Sequence, residues 1–167
     1  YRALRDAEAI AQTLGDRRRL GHISVSLGHY FWTIGAQDQA LEFGERTLAL
    51  AMDIGDLDLQ LLGNFVLSQA NHARGDYHRA IEDSNRNIES AKKDVFYKPV
   101  GSGSMISVIS RTWLVWSLAE IGKFAEGASQ AEEGVKIAET ADHLLSIFHA
   151  YFGVGTLLLR KGEIQSA

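Results

Sequence analysis

Six histidines, together with serines and paired carboxylates, are the residues whose types admit chemistry, and their spacing decides whether they do any. His22 and His29 are seven residues apart and His72 and His78 six. No His-Glu-x-x-His pair places two imidazoles on adjacent helical turns, so no metal site is expected. The chain has no cysteine, which removes thiolate catalysis, thiolate-held metals and disulfides. Ser68 and Ser117 fall within helical patterns rather than on a strained nucleophile turn, and no Gly-x-Ser-x-Gly segment occurs. Glu132 and Glu133 belong to a solvated helix face, not to an acid-base pair. Gly101-Ser-Gly103 lacks the Gly-Lys-Ser/Thr ending that holds phosphate and magnesium. No catalytic residue and no cofactor is therefore expected, and an enzyme is the least favoured class.

Charge narrows the partners. Lys and Arg number 17 against 21 Asp and Glu, a net charge of -4, so no general basic field exists to hold nucleic acid or an anionic membrane. Arg17-Arg18-Arg19 is a short basic run at a helix start, expected to be a solvated turn. Residues 20–37 and 143–159 carry no Lys, Arg, Asp or Glu, yet His22, Ser24, His29, His143, Ser146 and His149 interrupt them. A membrane span needs about 20 predominantly apolar residues, so neither is expected to cross a bilayer. The absence of cysteine suits a reducing, cytoplasmic compartment. An apolar content of 46% over 167 residues is enough to fill one core.

What must position the remaining residues is a repeat. Gly35, Gly75, Gly122 and Gly162 each open the same form, in GAQDQA, GDYHRA, GKFAEG and GEIQSA, at spacings of 40, 47 and 40. A fixed period of this kind marks a stacked array. Before each glycine an apolar stretch has helical spacing, as in Leu20, Ile23, Leu27, Phe31 and Ile34. After it comes a more charged helix, expected at residues 39–54, 78–93 and 125–141. Small residues stand seven before the glycine (Gly28, Ser68, Gly155) and five after it (Ala40, Ala80, Gly127, Ala167), where two helices must approach closely. Val115 breaks the first series, so its hairpin should splay or Gly127 should make room. Gly15-Asp16 and Gly55-Asp56 end one helix and cap the next.

Leu27-Gly28, Phe31, Gly35 and Ala40, then Leu67, Gly75, Tyr77 and Ala80, then Leu114, Gly122 and Phe124, then Gly155, Gly162 and Ala167, make the chain resemble the tetratricopeptide repeat superfamily. The usual closing proline is absent, with Met52, Lys92 and Glu139 in its place, and the period is 40 rather than 34. The 40-residue form and the segment SVISRTWLVWSLAEIGKFAEG resemble the C-terminal repeat regions of large bacterial signalling proteins, in which an ATPase is coupled to a nucleotide cyclase or a transcription-activation domain. The resemblance implies an all-α, right-handed superhelix of antiparallel helical hairpins. One such domain is expected over residues 1–167, a piece of a longer protein: a second helix at 1–16, repeats at 17–56, 57–103 and 104–142, and a partial repeat at 143–167. Seven principal helices and no strand are expected. The seven-residue excess falls in a surface loop at 94–104.

In this superfamily the first helices line a concave groove. The positions facing it would be His22, Val25, His29 and Trp32, then Leu62, Phe65, Gln69 and His72, then Thr112 and Trp116, then Phe148 and Phe152. Such an aromatic, weakly polar face suits a peptide or a partner domain, another domain of the same chain included. It offers no cation for an acidic C-terminal peptide. The alternative is a small-ligand receptor whose groove is closed by loop 94–104. Leu157, Leu158 and Leu159 are expected to leave an apolar side open, so that terminal repeats self-associate.

Overall fold

Every turn glycine of the repeat takes the left-handed backbone conformation in the computed structural model, which describes residues 1–91, 99–100 and 103–166. The φ angle is 81° at Gly35, 81° at Gly75, 75° at Gly122 and 89° at Gly162, values that a Cβ would disfavour. Around these corners run α1 (Arg2–Thr13), α2 (Arg17–Thr33), α3 (Gln37–Ile54), α4 (Leu57–Ala73), α5 (Tyr77–Ser90), α6 (Ile106–Glu120), α7 (Phe124–Thr140) and α8 (Leu144–Lys161). These are eight helices among the described residues, so the expected count of seven is one short. A second correction is a strand pair. Pro99–Val100 (β1) lies antiparallel to Ser104–Met105 (β2), with Pro99 opposite Met105 and Val100 opposite Ser104. Its turn contains Gly103, at a φ of 86°. The rest of the 94–104 loop lies outside the described residues.

The chain divides into two units, Tyr1–Gly75 and Asp76–Ala167. In the first, α1 packs on α2, α2 on α3 and α3 on α4, and α2 also touches α4. Missing side chains permit this. A Cβ on Gly28 would stand 2.7 Å from Val66 Cγ1, one on Gly44 2.6 Å from Leu67 Cδ2, and one on Gly63 2.8 Å from Leu48 Cδ2. Leu27 and Phe43 pack with Ala11 and Ile23 to form the core between α1, α2 and α3. Ion pairs join residues about one period apart: Arg17 with Asp53 at 2.7 Å, Arg18 with Asp56 at 2.8 Å and Arg74 with Asp38 at 3.0 Å. Arg17 and Arg18 of the basic run are thus occupied by carboxylates at the next junction, and Arg19 by Asp16 at its own. Glu8 is buried and bound by both Arg5 and Arg46.

In the second unit α6 is the central element, packed on α5, α7 and α8 and buried along nearly its whole length. Met105 and Val108 meet Ile137 and Ala138 of α7 and Ala150 of α8. Val115 lies with Ala119, Ala131 and Leu157. The room at Gly127 serves Leu157, whose Cδ1 would be 2.9 Å from a Cβ there. It is α8 that needs this space, a correction to the pairing expected with Val115.

Aspartate caps three of the helix starts, whereas Ala36, Met105 and Lys123 stand at theirs without a side-chain bond. Asp16, Asp56 and Asp76 accept the amides of Arg19, Leu59 and Arg79. At the last junction Asp142 takes the positive φ, 48°, in place of glycine, and His143 takes the place of the capping Asp. Its Nδ1 accepts the Ser146 amide at 3.3 Å.

Two glycine changes separate the two uses of glycine. Gly28→Ala should cost about 2 kcal/mol by overpacking, with part of it recovered when Val66→Ala is added. Gly35→Ala, whose Cβ meets nothing, should cost about 1 kcal/mol through backbone conformation alone and add independently to Val66→Ala. Urea unfolding of the single and double variants measures both; equal coupling in the two cycles would contradict this division.

Candidate functional site

A continuous aromatic ridge is built by α6 and α8 at helical spacing. Trp113 and Trp116, three apart on α6, meet edge-on with centroids 4.6 Å apart. Trp116 then meets Phe152 of α8 at 5.2 Å and nearly perpendicular, and Phe152 stacks with Phe148 at 5.9 Å. Such arrangements are favoured by the ring quadrupoles and hold each ring in one orientation. Trp113 is buried and Trp116 half-buried, whereas Phe148 and Phe152 are 60% and 50% exposed. The ridge therefore runs from the core into solvent.

Repeat position relates this face to those of the earlier first helices. Counting back from the turn glycines, positions 14, 11, 10 and 7 are Gly21, Ser24, Val25 and Gly28 in α2. They are Leu61, Asn64, Phe65 and Ser68 in α4, and Val108, Arg111, Thr112 and Val115 in α6. All twelve are buried. In α8 the same positions are Phe148, Tyr151, Phe152 and Gly155, of which the first three are exposed, and a Cβ on Gly155 would meet nothing within 4 Å. What covers this face in α2 is visible within its unit: Gly21 meets Leu59 of α4, and Gly28 meets Val66 of α4 and Phe43 of α3.

The expected groove residues accordingly fall into three sets. Val25, Leu62, Phe65, Gln69 and Thr112 are buried; His29, Trp32, His72 and Trp116 are half-buried; His22, Phe148 and Phe152 are exposed. In the first unit His29 meets Phe65 edge-on at 5.7 Å. Burial lowers the His29 pKa, and the Gln69 side chain beside it offsets only part of that. Thr112 donates to the carbonyls of Val108 and His149, which ties α6 to α8. Leu157 is buried, Leu158 half-buried and Leu159 exposed, so only part of the leucine run is open.

Sequence spacing did not reveal a serine–histidine cluster at the start of α8. Ser104 Oγ lies 2.7 Å from His149 Nδ1, and Ser146 Oγ accepts the Met105 amide at 3.0 Å while lying 2.9 Å from His143 Nδ1. Ser104 is fully buried, and His149 Nδ1 also lies 2.9 Å from the Leu145 carbonyl. A nucleophile must reach its substrate; this cluster instead clamps β2 to α8. The partners are 41 and 45 residues apart, and no local motif links them. A narrow crevice between α6, α7 and α8, lined by Arg111, Thr112, Gln130 and Gly153 among others, leaves no room for a water-sized molecule.

Among the described residues no group of three His, Asp or Glu side chains is placed to hold a metal ion, and no helix is long and apolar enough to cross a membrane. No protein-family model and no curated protein matches the sequence.

Burial lowers the His149 pKa from its ordinary 6.5, the bond to the Leu145 carbonyl opposing the change, and His29 shifts the same way. Above about pH 6.5 both rings are neutral folded or unfolded. As pH falls below it the unfolded chain binds protons that the folded chain resists, so stability declines through the lowered folded values. Asp56 acts at lower pH: burial pushes its carboxyl up, but the Leu59 amide and Arg18 outweigh this and hold it below its ordinary 3.8. Urea midpoints should fall between pH 7.5 and 5.5, with a shallower slope in His29→Gln/His149→Gln. An unchanged slope would sink the assignment.

Proposed function

We propose that this chain is a protein-interaction module of the tetratricopeptide type, a right-handed superhelix of hairpins serving a larger bacterial signalling regulator, and that the α6–α8 ridge is a contact surface for its partner. The observation that carries the reading is the aromatic ridge itself, in which Trp113, Trp116, Phe152 and Phe148 hold one another in fixed orientations from the core to the surface. Aromatic side chains fixed by their neighbours lose little entropy on binding, which makes them effective anchors. The resemblance in the turn glycines and small-residue positions supports the repeat type, and their left-handed corners are in keeping with it.

The chemistry of the surface selects the partner. α8 carries no acidic residue, and its only cations, Arg160 and Lys161, sit in the last turn, with Arg160 held 2.7 Å from Glu120. A carboxylate brought to the ridge would lose its water without gaining a donor. A segment presenting leucine or aromatic side chains suits it. Phe65 is buried and supports packing, whereas Phe152 is half exposed and is the residue to substitute.

The test is titration of peptides carrying spaced Leu and Phe residues, followed by tryptophan fluorescence, because Trp116 touches Phe152. Binding in the micromolar range should weaken tenfold or more in Phe152→Ala, a loss of about 1.4 kcal/mol or more. A peptide with an acidic C-terminus should show no saturable change. Tight binding of the acidic peptide, unaffected by Phe152→Ala, would overturn the assignment of this surface.

A further inference from the structure

We infer that His143 is a pH-sensitive catch: neutral, it caps α8 and holds β2 to the first turn of that helix, and protonated it lets both go. The repeat itself sets the comparison. One residue after a left-handed corner, Asp16 and Asp56 cap α2 and α4 through a carboxylate that accepts the amide three residues on. His143 stands at the same place after Asp142 and does this for Ser146 with a ring nitrogen. A carboxylate keeps its lone pairs down to acid pH. An imidazole is the side-chain type that ordinarily gives up its acceptor between about pH 5 and 8.

The hydrogen bonds fix the form of the ring. Nδ1 accepts the Ser146 amide at 3.3 Å, so it carries no hydrogen, and the proton of the neutral ring is on Nε2. The Ser146 hydroxyl, 2.9 Å from the same nitrogen, donates to it, which leaves its oxygen to accept the Met105 amide at 3.0 Å. Ser146 and Met105 are both buried. A chain of donors thus runs from β2 through Ser146 to His143. Protonation places a hydrogen on Nδ1, facing the amide hydrogen it had accepted, and a positive charge at the positive end of α8. The ring must turn away. The Ser146 hydroxyl then loses the acceptor that orients it and the Met105 amide loses a fixed partner. The start of α6 is loosened with β2, because Met105 at its cap position makes no side-chain bond there.

His149 is a different case. Its Nδ1 lies 2.9 Å from the Leu145 carbonyl, which can only accept, so that nitrogen already carries a hydrogen. A second proton would go to Nε2 without breaking the contact with Ser104. The charged groups on the other elements packed here are Glu133, Lys136 and Glu139 of α7, Arg111 of α6 and Asp142 at the junction; β2 brings none. Glu139 is bound by the Tyr151 hydroxyl at 2.8 Å, and Arg111 lies against Gly134. Of all these side-chain types only histidine ordinarily titrates between about pH 5 and 8.

The test is amide hydrogen exchange, followed by NMR on the 167-residue chain at pH 7.5 and 5.5 and corrected for the intrinsic rate. On acidification the Ser146 and Met105 amides should lose about fivefold in protection, the weight of one helix cap, relative to Leu114 in the interior of α6. His143→Asp should keep the protection at both pH values. His143→Asn, which also accepts and avoids a second carboxylate beside Asp142, should do the same. His143→Ala should show the acid value throughout. A native chain in which Ser146 and Met105 follow Leu114 overturns the inference, as does a loss that persists in both His143→Asp and His143→Asn. A loss removed by His149→Gln but not by His143→Asn would place the switch at His149 and refute it for His143.

Discussion

Close approach of helices, permitted by side chains that are absent, is the constraint on which this architecture depends. In the first unit the hollows at Gly28, Gly44 and Gly63 receive methyl groups of Val66, Leu67 and Leu48, and Gly21 receives Leu59 Cδ2. In the second, Gly127 receives Leu157 and Gly153 lies against Thr112. Each large side chain is matched to a missing one on the helix it faces, so volume is conserved across the contact rather than within a helix. The ion pairs that recur about one period apart are mostly exposed and contribute little energy. Their role is register: Arg18 reaches Asp56 only when the two junctions are stacked in phase.

The corners and the period were readable in the chain because tight reversals restrict residue type. Gly35, Gly75, Gly122 and Gly162 were singled out by spacing alone, and all four take positive φ. Hairpin boundaries followed to within a few residues: α3 begins at Gln37 and α7 at Phe124, slightly ahead of the expected starts. The strand pair was missed because it rests on backbone pairing between Pro99–Val100 and Ser104–Met105, which a Gly- and Ser-rich segment does not announce. At the last junction the pattern substitutes types, with Asp142 for glycine and His143 for aspartate, and the same geometry is met by different chemistry.

Exposure was not readable in the same way. Phe65 and Phe152 occupy the same place in the repeat, yet Phe65 is 6% exposed and Phe152 50%. Local spacing assigns a residue to a face of its helix, but whether another helix covers that face depends on where the helix stands in the array. Val25, Leu62, Gln69 and Thr112 were therefore assigned to a groove on correct spacing and found buried. The serine–histidine clamp was hidden for a related reason, since its members come together only once β2 and α8 have packed.

The sequence treats the open face of α8 differently from the covered ones. Where α2 places Gly21, Ser24, Val25 and Gly28, small or slender residues that admit a neighbour's side chains, α8 places Phe148, Tyr151 and Phe152 with only Gly155 retained. A face that receives Leu59 and Val66 must be hollow. A face that supplies its own rings must find hollows elsewhere. Tyr151 is held by a 2.8 Å bond to Glu139 of α7, which helps fix the ridge from one side while Trp116 fixes it from the other. The aromatic rings are thus oriented before any partner arrives, and an anchor already oriented costs less entropy to bury.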